Sequence, residues 1–212
     1  AMNASLTVFR GAGAFDHYIP TVVRSITSRQ EFLTSYTPYQ PEVAQGTLQY
    51  IFEYQSIVSE LTGMDISNAS MYDGTTATAE AMYMAYGITG KSTICVSKTL
   101  NDHILEVIKT YAYFRNIHIT YVEEKNGHID LTGIDDLLQD TMGIIVQSPN
   151  KYGVIETYGD LSDKVHRNKG LFIFNREGQA LSLLKTPKDE GADIACGDLQ
   201  ALGIPLSSGG PY

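Results

Sequence analysis

Positive charge is scarce and unclustered in this chain: 15 Lys and Arg stand against 24 Asp and Glu, a net charge of -9. Nucleic acid and anionic membrane surfaces both require clustered Lys and Arg, so neither is expected as a partner. No stretch approaches the roughly eighteen apolar residues that a membrane span needs, and the N-terminus lacks a charged region followed by an apolar one. These absences give the expectation of a cytoplasmic chain. Cysteine occurs only at Cys95 and Cys196, both in apolar, strand-like runs without metal-ligand spacing, so both are expected to be buried free thiols. The histidines His17, His103, His118, His128 and His166 show no ligand spacing either, and no metal is assigned. Internal repeats and low-complexity segments are absent.

What is present is enough apolar material for a substantial core: 43% of 212 residues, with one large domain as the default. Apolar residues recur at three- and four-residue intervals from Pro41 to Thr62, which predicts a helix that Gly63 ends in a left-handed cap. Asp73 to Thr76 is a turn with capping side chains. The uncharged run Ala77 to Tyr86 after it predicts a buried helix closed by Gly87 and Gly90. Beyond Gly90, strand-like segments (92–97, 117–123, 143–147, 171–174, 192–196) alternate with helical ones (102–114, 132–139, 161–168). That alternation predicts crossover connections and a mostly parallel sheet covered on both faces, with ligands at the carboxyl ends of its strands. We expect residues 1–90 to form an N-terminal segment with an interface loop and helices, and 91–212 a partial α/β large domain.

Two local features carry chemistry. Ser35-Tyr36-Thr37-Pro38-Tyr39-Gln40-Pro41-Glu42-Val43-Ala44-Gln45-Gly46 is a polar, aromatic stretch stiffened by two prolines, each fixing its own backbone angle and restricting the residue before it. Pro41 suits the first turn of a helix. Rigid tyrosines with hydroxyl groups suit a pocket wall or an interface; a purely structural turn is the alternative. In the second feature, Asp73, Gly74, Thr75 and Thr76 place amides and two hydroxyls at a helix N-terminus, a phosphate-sized anion site. The same residues serve as an ordinary helix cap, and the Asp73 carboxylate opposes a phosphate. Gly11-Ala12-Gly13 lacks the strand-then-helix context of a dinucleotide fingerprint and more simply allows close backbone approach.

Several stretches resemble the glycine cleavage P-protein family, pyridoxal-phosphate (PLP) glycine decarboxylases, and in particular the alpha chain (subunit 1) of the two-chain form. They are Gly11-Ala12-Gly13-Ala14-Phe15-Asp16-His17-Tyr18-Ile19-Pro20, Tyr36 to Gly46, Leu61-Thr62-Gly63-Met64-Asp65, Tyr72-Asp73-Gly74-Thr75-Thr76-Ala77, and Gly191-Ala192-Asp193-Ile194 running on to Gly209-Gly210-Pro211-Tyr212. The resemblance implies a three-layer α/β large domain of the PLP-dependent transferase kind (aspartate aminotransferase type, fold type I) with N-terminal helices. It implies subunit 1 of glycine dehydrogenase (aminomethyl-transferring, decarboxylating), an oxidoreductase subunit of glycine catabolism, inactive alone. Ala1 ahead of Met2 suggests an addition before a natural start, and the family's chains begin earlier and continue further, so a fragment covering mainly the large domain is expected.

Site residues follow from the same resemblance. The cofactor phosphate of such enzymes sits at the turn that here is Asp73 to Thr76. The Schiff-base lysine position falls on Gln200, an amide that forms no imine, so no catalytic residue is assigned. The ring-stacking position falls on Asn101. The carboxylate that pairs with the pyridine nitrogen is expected after the strand 171–174, where Glu177 is a stand-in or pairs with Arg176 at the surface. Lys185 and Lys188 are expected to be surface charges. PLP is therefore implied for the assembled enzyme and not for this chain. Partners implied are a lysine-bearing beta subunit (subunit 2) and the lipoyl-bearing H-protein, with Tyr36, Thr37, Tyr39, Gln40 and Glu42 contacting glycine or the lipoyl arm, and a homodimer as a further association. Two alternatives stay open: a truncated, non-catalytic interaction module, and an independent PLP or phosphate-ligand enzyme.

Overall fold

Side chains alternate across the central strands, and both resulting faces are apolar. β1 (Thr93–Ser97) sends Ile94 and Val96 to one face and Cys95 to the other; β5 (Gly143–Gln147) and β6 (Leu171–Asn175) divide likewise into Ile145 and Ile173 against Ile144, Val146, Phe172 and Phe174. A sheet apolar on both faces needs a helical layer on each. The structure is a computed structural model that describes residues 17–33 and 37–205. It divides into two compact units, one of residues 38–198 and one of residues 1–37 with 199–212.

In the larger unit the five-stranded sheet runs β2-β1-β5-β6-β7, where β2 is His118–Val122 and β7 is Ile194–Cys196, and every pairing is parallel. α4 (Gly74–Thr89) and α5 (Asp102–Arg115) cover one face through Met82, Ala85, Ile104 and Ile108. α6 (Ile134–Leu137) and α7 (Gly159–Arg167) cover the other through Ile134, Leu161 and Val165, with Tyr158 packed edge-on to Phe172 and Phe174. This is the parallel, double-covered α/β architecture that the alternation predicts. At the amino ends of the strands, Lys91 donates from Nζ to the carbonyls of Thr141 (2.9 Å) and Asn168 (3.1 Å), tying three connections together.

α3 (Gln45–Thr62) precedes the sheet, has no fully buried residue and ends, as predicted, in a left-handed cap at Gly63. Its carboxyl end docks on the loop 186–188, with the Lys188 amide donating to the Thr62 carbonyl at 3.3 Å. The predicted start at Pro41 is corrected: residues 41–43 form a turn, the amides of Val43 and Ala44 donate to the Gln40 carbonyl, and Ala44 is the N-cap. Gly87 is corrected too, for it lies inside α4, and Gly90 alone closes that helix. The helix expected over 132–139 contracts to α6. A two-stranded hairpin, β3 (Glu124–Lys125) with β4 (His128–Ile129), was not expected.

The smaller unit contains α1 (Thr21–Thr27), which starts after Pro20, α2 (Gln30–Leu33) and a 3₁₀ turn, Gln200–Leu202. His17 Nε2 lies 3.1 Å from the Ile204 carbonyl oxygen. Among the described residues, no helix is long and apolar enough to cross a membrane.

Candidate functional site

The strand order reverses between β1 and β5, because β2 lies on one side of β1 and the later strands on the other. The carboxyl ends of such a pair form the usual crevice for ligands. Here they are knitted together: Ser97 Oγ lies 2.8 Å from Thr99 Oγ1, and Gln147 Oε1 accepts from the Asn101 amide at 2.7 Å. Asn101, the expected ring-stacking position, is the N-cap of α5, its Oδ1 accepting from the His103 amide at 2.9 Å.

The neighbouring carboxyl ends, β6 and β7, face the first turn of α4. Asp73 forms a capping box: its Oδ1 accepts from the Thr76 amide at 2.7 Å and from the Thr76 hydroxyl at 2.7 Å. Asp198, two residues beyond β7, accepts from the Gly74 amide through Oδ1 at 2.9 Å. A Cβ on Gly74 would collide with the Asp198 carboxylate and lie 2.8 Å from the Gly197 carbonyl carbon, so position 74 requires glycine for close approach. Thr75 lies in the same turn, and the Thr78 hydroxyl donates to the Gly74 carbonyl at 2.6 Å. Burial raises the Asp198 pKa above the usual carboxylate value, the charges of Asp73 and Glu177 add to the rise, and the Gly74 amide opposes it. Two carboxylates and a closely packed backbone do not fit a cofactor phosphate.

At the end of β6, Asn175 is buried and donates from Nδ2 to Thr78 Oγ1 at 2.7 Å. The adjacent Cys196 thiol contacts the same hydroxyl at 3.4 Å, and burial pushes its pKa up to about 11. The expectation of a surface Arg176–Glu177 pair is corrected. Arg176 is only 4% exposed, with its guanidinium 4.7 Å over the Phe174 ring and neither Nε nor Nη1 hydrogen-bonded. Strand alternation places it on the Phe174 side of the sheet, toward buried Glu190 and Tyr158, and burial lowers its pKa. Glu177 instead caps a 3₁₀ turn, Gly178–Ser182, accepting from the amides of Gln179 and Ala180.

The stiff loop behaves differently. Thr37, Tyr39, Gln40 and Glu42 are exposed, Tyr39 by 78%, whereas Tyr36 lies outside the described residues. Pro41, Glu42, Gln45, Leu48, Gln49 and Phe52 line an open groove of about 590 Å³. Gln200 opens the 3₁₀ turn of the smaller unit, its carbonyl accepting from the Ile204 amide at 2.9 Å. Lys188 is a surface charge 3.6 Å from Asp65. No group of three or more possible metal ligands occurs among the described residues. Sequence reasoning missed Asp198 and buried Arg176. The signal for Asp198 was its place directly after a strand and a glycine, where a side chain is aimed at the ligand end of the sheet.

The profile of the glycine cleavage system P-protein family matches residues 1–212. The chain is 50% identical over 205 residues, 96% of its length, to probable glycine dehydrogenase (decarboxylating) subunit 1 of Bacillus licheniformis, and covers 46% of that protein. To the protein of the same name in Bacillus pumilus it is 46% identical over 211 residues, 99% of this chain and 47% of the other. A crystal structure of glycine decarboxylase (P-protein) of the glycine cleavage system, in inhibitor-bound form, superposes with a TM-score of 0.89 at 39% identity, over 95% of this chain and 46% of that one. A NifS-like protein, at 15% identity and a TM-score of 0.69 over 88% of this chain and 53% of its own, shares the fold alone. The architecture is thus the expected α/β unit of fold type I, PLP-dependent enzymes, and the chain spans about half the length of the curated relatives it matches. Matched along its whole length, homologous to an oxidoreductase subunit and folded like the crystallised enzyme, this chain belongs to the glycine cleavage system P-protein family.

Proposed function

We propose that this chain is the large-domain portion of a P-protein subunit 1 that holds no PLP itself and shapes the active-site entrance of a lysine-bearing partner subunit. The observation that carries the reading is the exposed loop Thr37 to Glu42 beside the groove on α3, where Leu48 and Phe52 supply apolar area and Glu42, Gln45 and Gln49 polar groups. A mixed surface of this kind suits a partner protein or an apolar arm with a polar end. Gln200 at the position of the Schiff-base lysine and two carboxylates at the start of α4 support assigning the cofactor to the partner. In the assembled enzyme the proposed chemistry is PLP-dependent decarboxylation of glycine, with transfer of the aminomethyl group to the lipoyl arm of H-protein.

The test is PLP titration followed by borohydride trapping, with the chain alone and with a lysine-bearing subunit 2. Label confined to subunit 2, with glycine turnover requiring both chains, is the expected result. Label on a lysine of this chain alone overturns the reading and favours an independent PLP enzyme; two chains that never associate favour an interaction module.

A further inference from the structure

We propose that Asp198 is the resident anion at the amino end of α4, and that it closes this end of the sheet to phosphate-bearing ligands. The proposal rests on the reading of the chain as a subunit without cofactor, and it names the residue that does the excluding.

A helix N-terminus attracts anions because its first amides have no partner in the helix and sit at the positive end of its dipole. In α4 the amides of Gly74 and Thr76 are already engaged. The Gly74 amide donates to Asp198, and the Thr76 amide and hydroxyl donate to Asp73. The Thr78 hydroxyl, one turn on, donates to the Gly74 carbonyl and accepts from Asn175. Space is filled as well as charge, since residues 197 and 198 lie so close to Gly74 that even a methyl group there would overlap them. An incoming phosphate would have to expel the Asp198 carboxylate and settle close to the carboxylates of Asp73, the N-cap of α4, and Glu177 after β6.

Asp198 differs from Asp73 in a decisive way. The Asp73 carboxylate belongs to its own helix as a local cap, which any sequence can place there. Asp198 lies just past β7, 124 positions from Gly74, so it closes the site only in the folded chain. It holds α4 to the carboxyl end of β7 and supplies the negative charge that a bound phosphate would otherwise bring. A single side chain thereby removes both the need and the room for the anion.

The experiment uses the full 212-residue chain, labelled with ¹⁵N, with inorganic phosphate as the probe and the Gly74 amide as the readout. In the wild type this amide is expected to stay unmoved by phosphate up to the concentration that saturates Asp198→Ser, and in that variant to shift saturably. Asp198→Asn keeps the shape and the acceptor for Gly74 and tests the assignment if the serine variant does not fold. The wild-type Gly74 amide should follow a carboxylate with a raised pKa, and the asparagine variant should lose that step, whatever the adjacent Asp73 carboxylate contributes to both proteins. A saturable phosphate shift of Gly74 in the wild type overturns the proposal. So does a folded serine variant blind to phosphate, or a Gly74 titration curve left identical to the wild type's by Asp198→Asn. Failure of the underlying reading is distinguishable: PLP trapped on a lysine of this chain while Gly74 stays silent sinks that reading and leaves Asp198 as assigned.

Discussion

Arg176 sets the sharpest question at the scale of single residues. A guanidinium sealed from water with Nε and Nη1 unbonded is costly, by about 1–3 kcal/mol for each unmet donor. Its countercharge is Glu190, itself 2% exposed, whose Oε2 accepts from the Tyr158 amide at 2.7 Å and makes no direct ion pair with Arg176. Two buried charges that offset each other at a distance are balanced only as a pair. Glu190→Gln alone is expected to destabilise the chain, by less than the about 3–5 kcal/mol that breaking a directly bonded buried ion pair costs, since it leaves the guanidinium without its buried countercharge. The double variant Arg176→Met/Glu190→Gln should unfold at or above the wild-type urea midpoint. A double variant no more stable than Glu190→Gln alone would show that the pair is worth more than its desolvation. Neither residue announced itself in the sequence, where Arg176-Glu177 looks like an ordinary surface pair. Burial of Arg176 follows from the chain staying paired beside β7 past the end of β6, where the Arg176 amide donates to the Cys196 carbonyl at 2.9 Å.

At the scale of elements, α4 depends on its start. Its C-terminal half packs Met82 and Ala85 into the core, but its first turn is held by Asp73 and Asp198. Asp73→Ala removes the carboxylate half of the capping box, leaving the residue-73 amide on the Thr76 hydroxyl, and is expected to cost about 1 kcal/mol, read as a lower urea midpoint at unchanged slope. Elements with strong local signals were legible. The three central strands are five-residue segments, each with three or four consecutive apolar residues, and α3, α4 and α5 carry long helical periodicity. Short polar elements were not. The β3–β4 hairpin pairs only four residues, two of them charged, yet its Asn126-Gly127 turn, with φ of 54° and 78°, is a known two-residue hairpin signal that was passed over. The start of α3 was misplaced because proline fits either the first helical turn or the turn before it.

Over the whole chain, apolar surface is distributed unevenly. Both faces of the sheet are filled, while α3 leaves Phe52, which lines the groove, 66% exposed and Ile57, further along the helix, 58% exposed. Because Phe52 contributes little to the core, Phe52→Glu is expected to change the stability of the isolated chain by no more than about 0.5 kcal/mol. Under the partner-subunit reading, the same change should weaken association with a lysine-bearing subunit 2 at least about tenfold, close to 1.4 kcal/mol. Sedimentation of the mixture and calorimetric titration report the two quantities separately; unchanged association would remove this face from the interface. The groove itself was legible only in part. The stiff loop marked one rim, but which apolar residues of α3 remain uncovered depends on tertiary packing that periodicity alone does not disclose.

Lys91 offers a built-in control for the chemistry proposed above. Its Nζ donates to two backbone carbonyls from separate connections, so both bonds must break before it can swing out to an aldehyde. Aldehyde label found there would be a signature of opened protein, and would mark that preparation as denatured before any conclusion about cofactor binding was drawn from it.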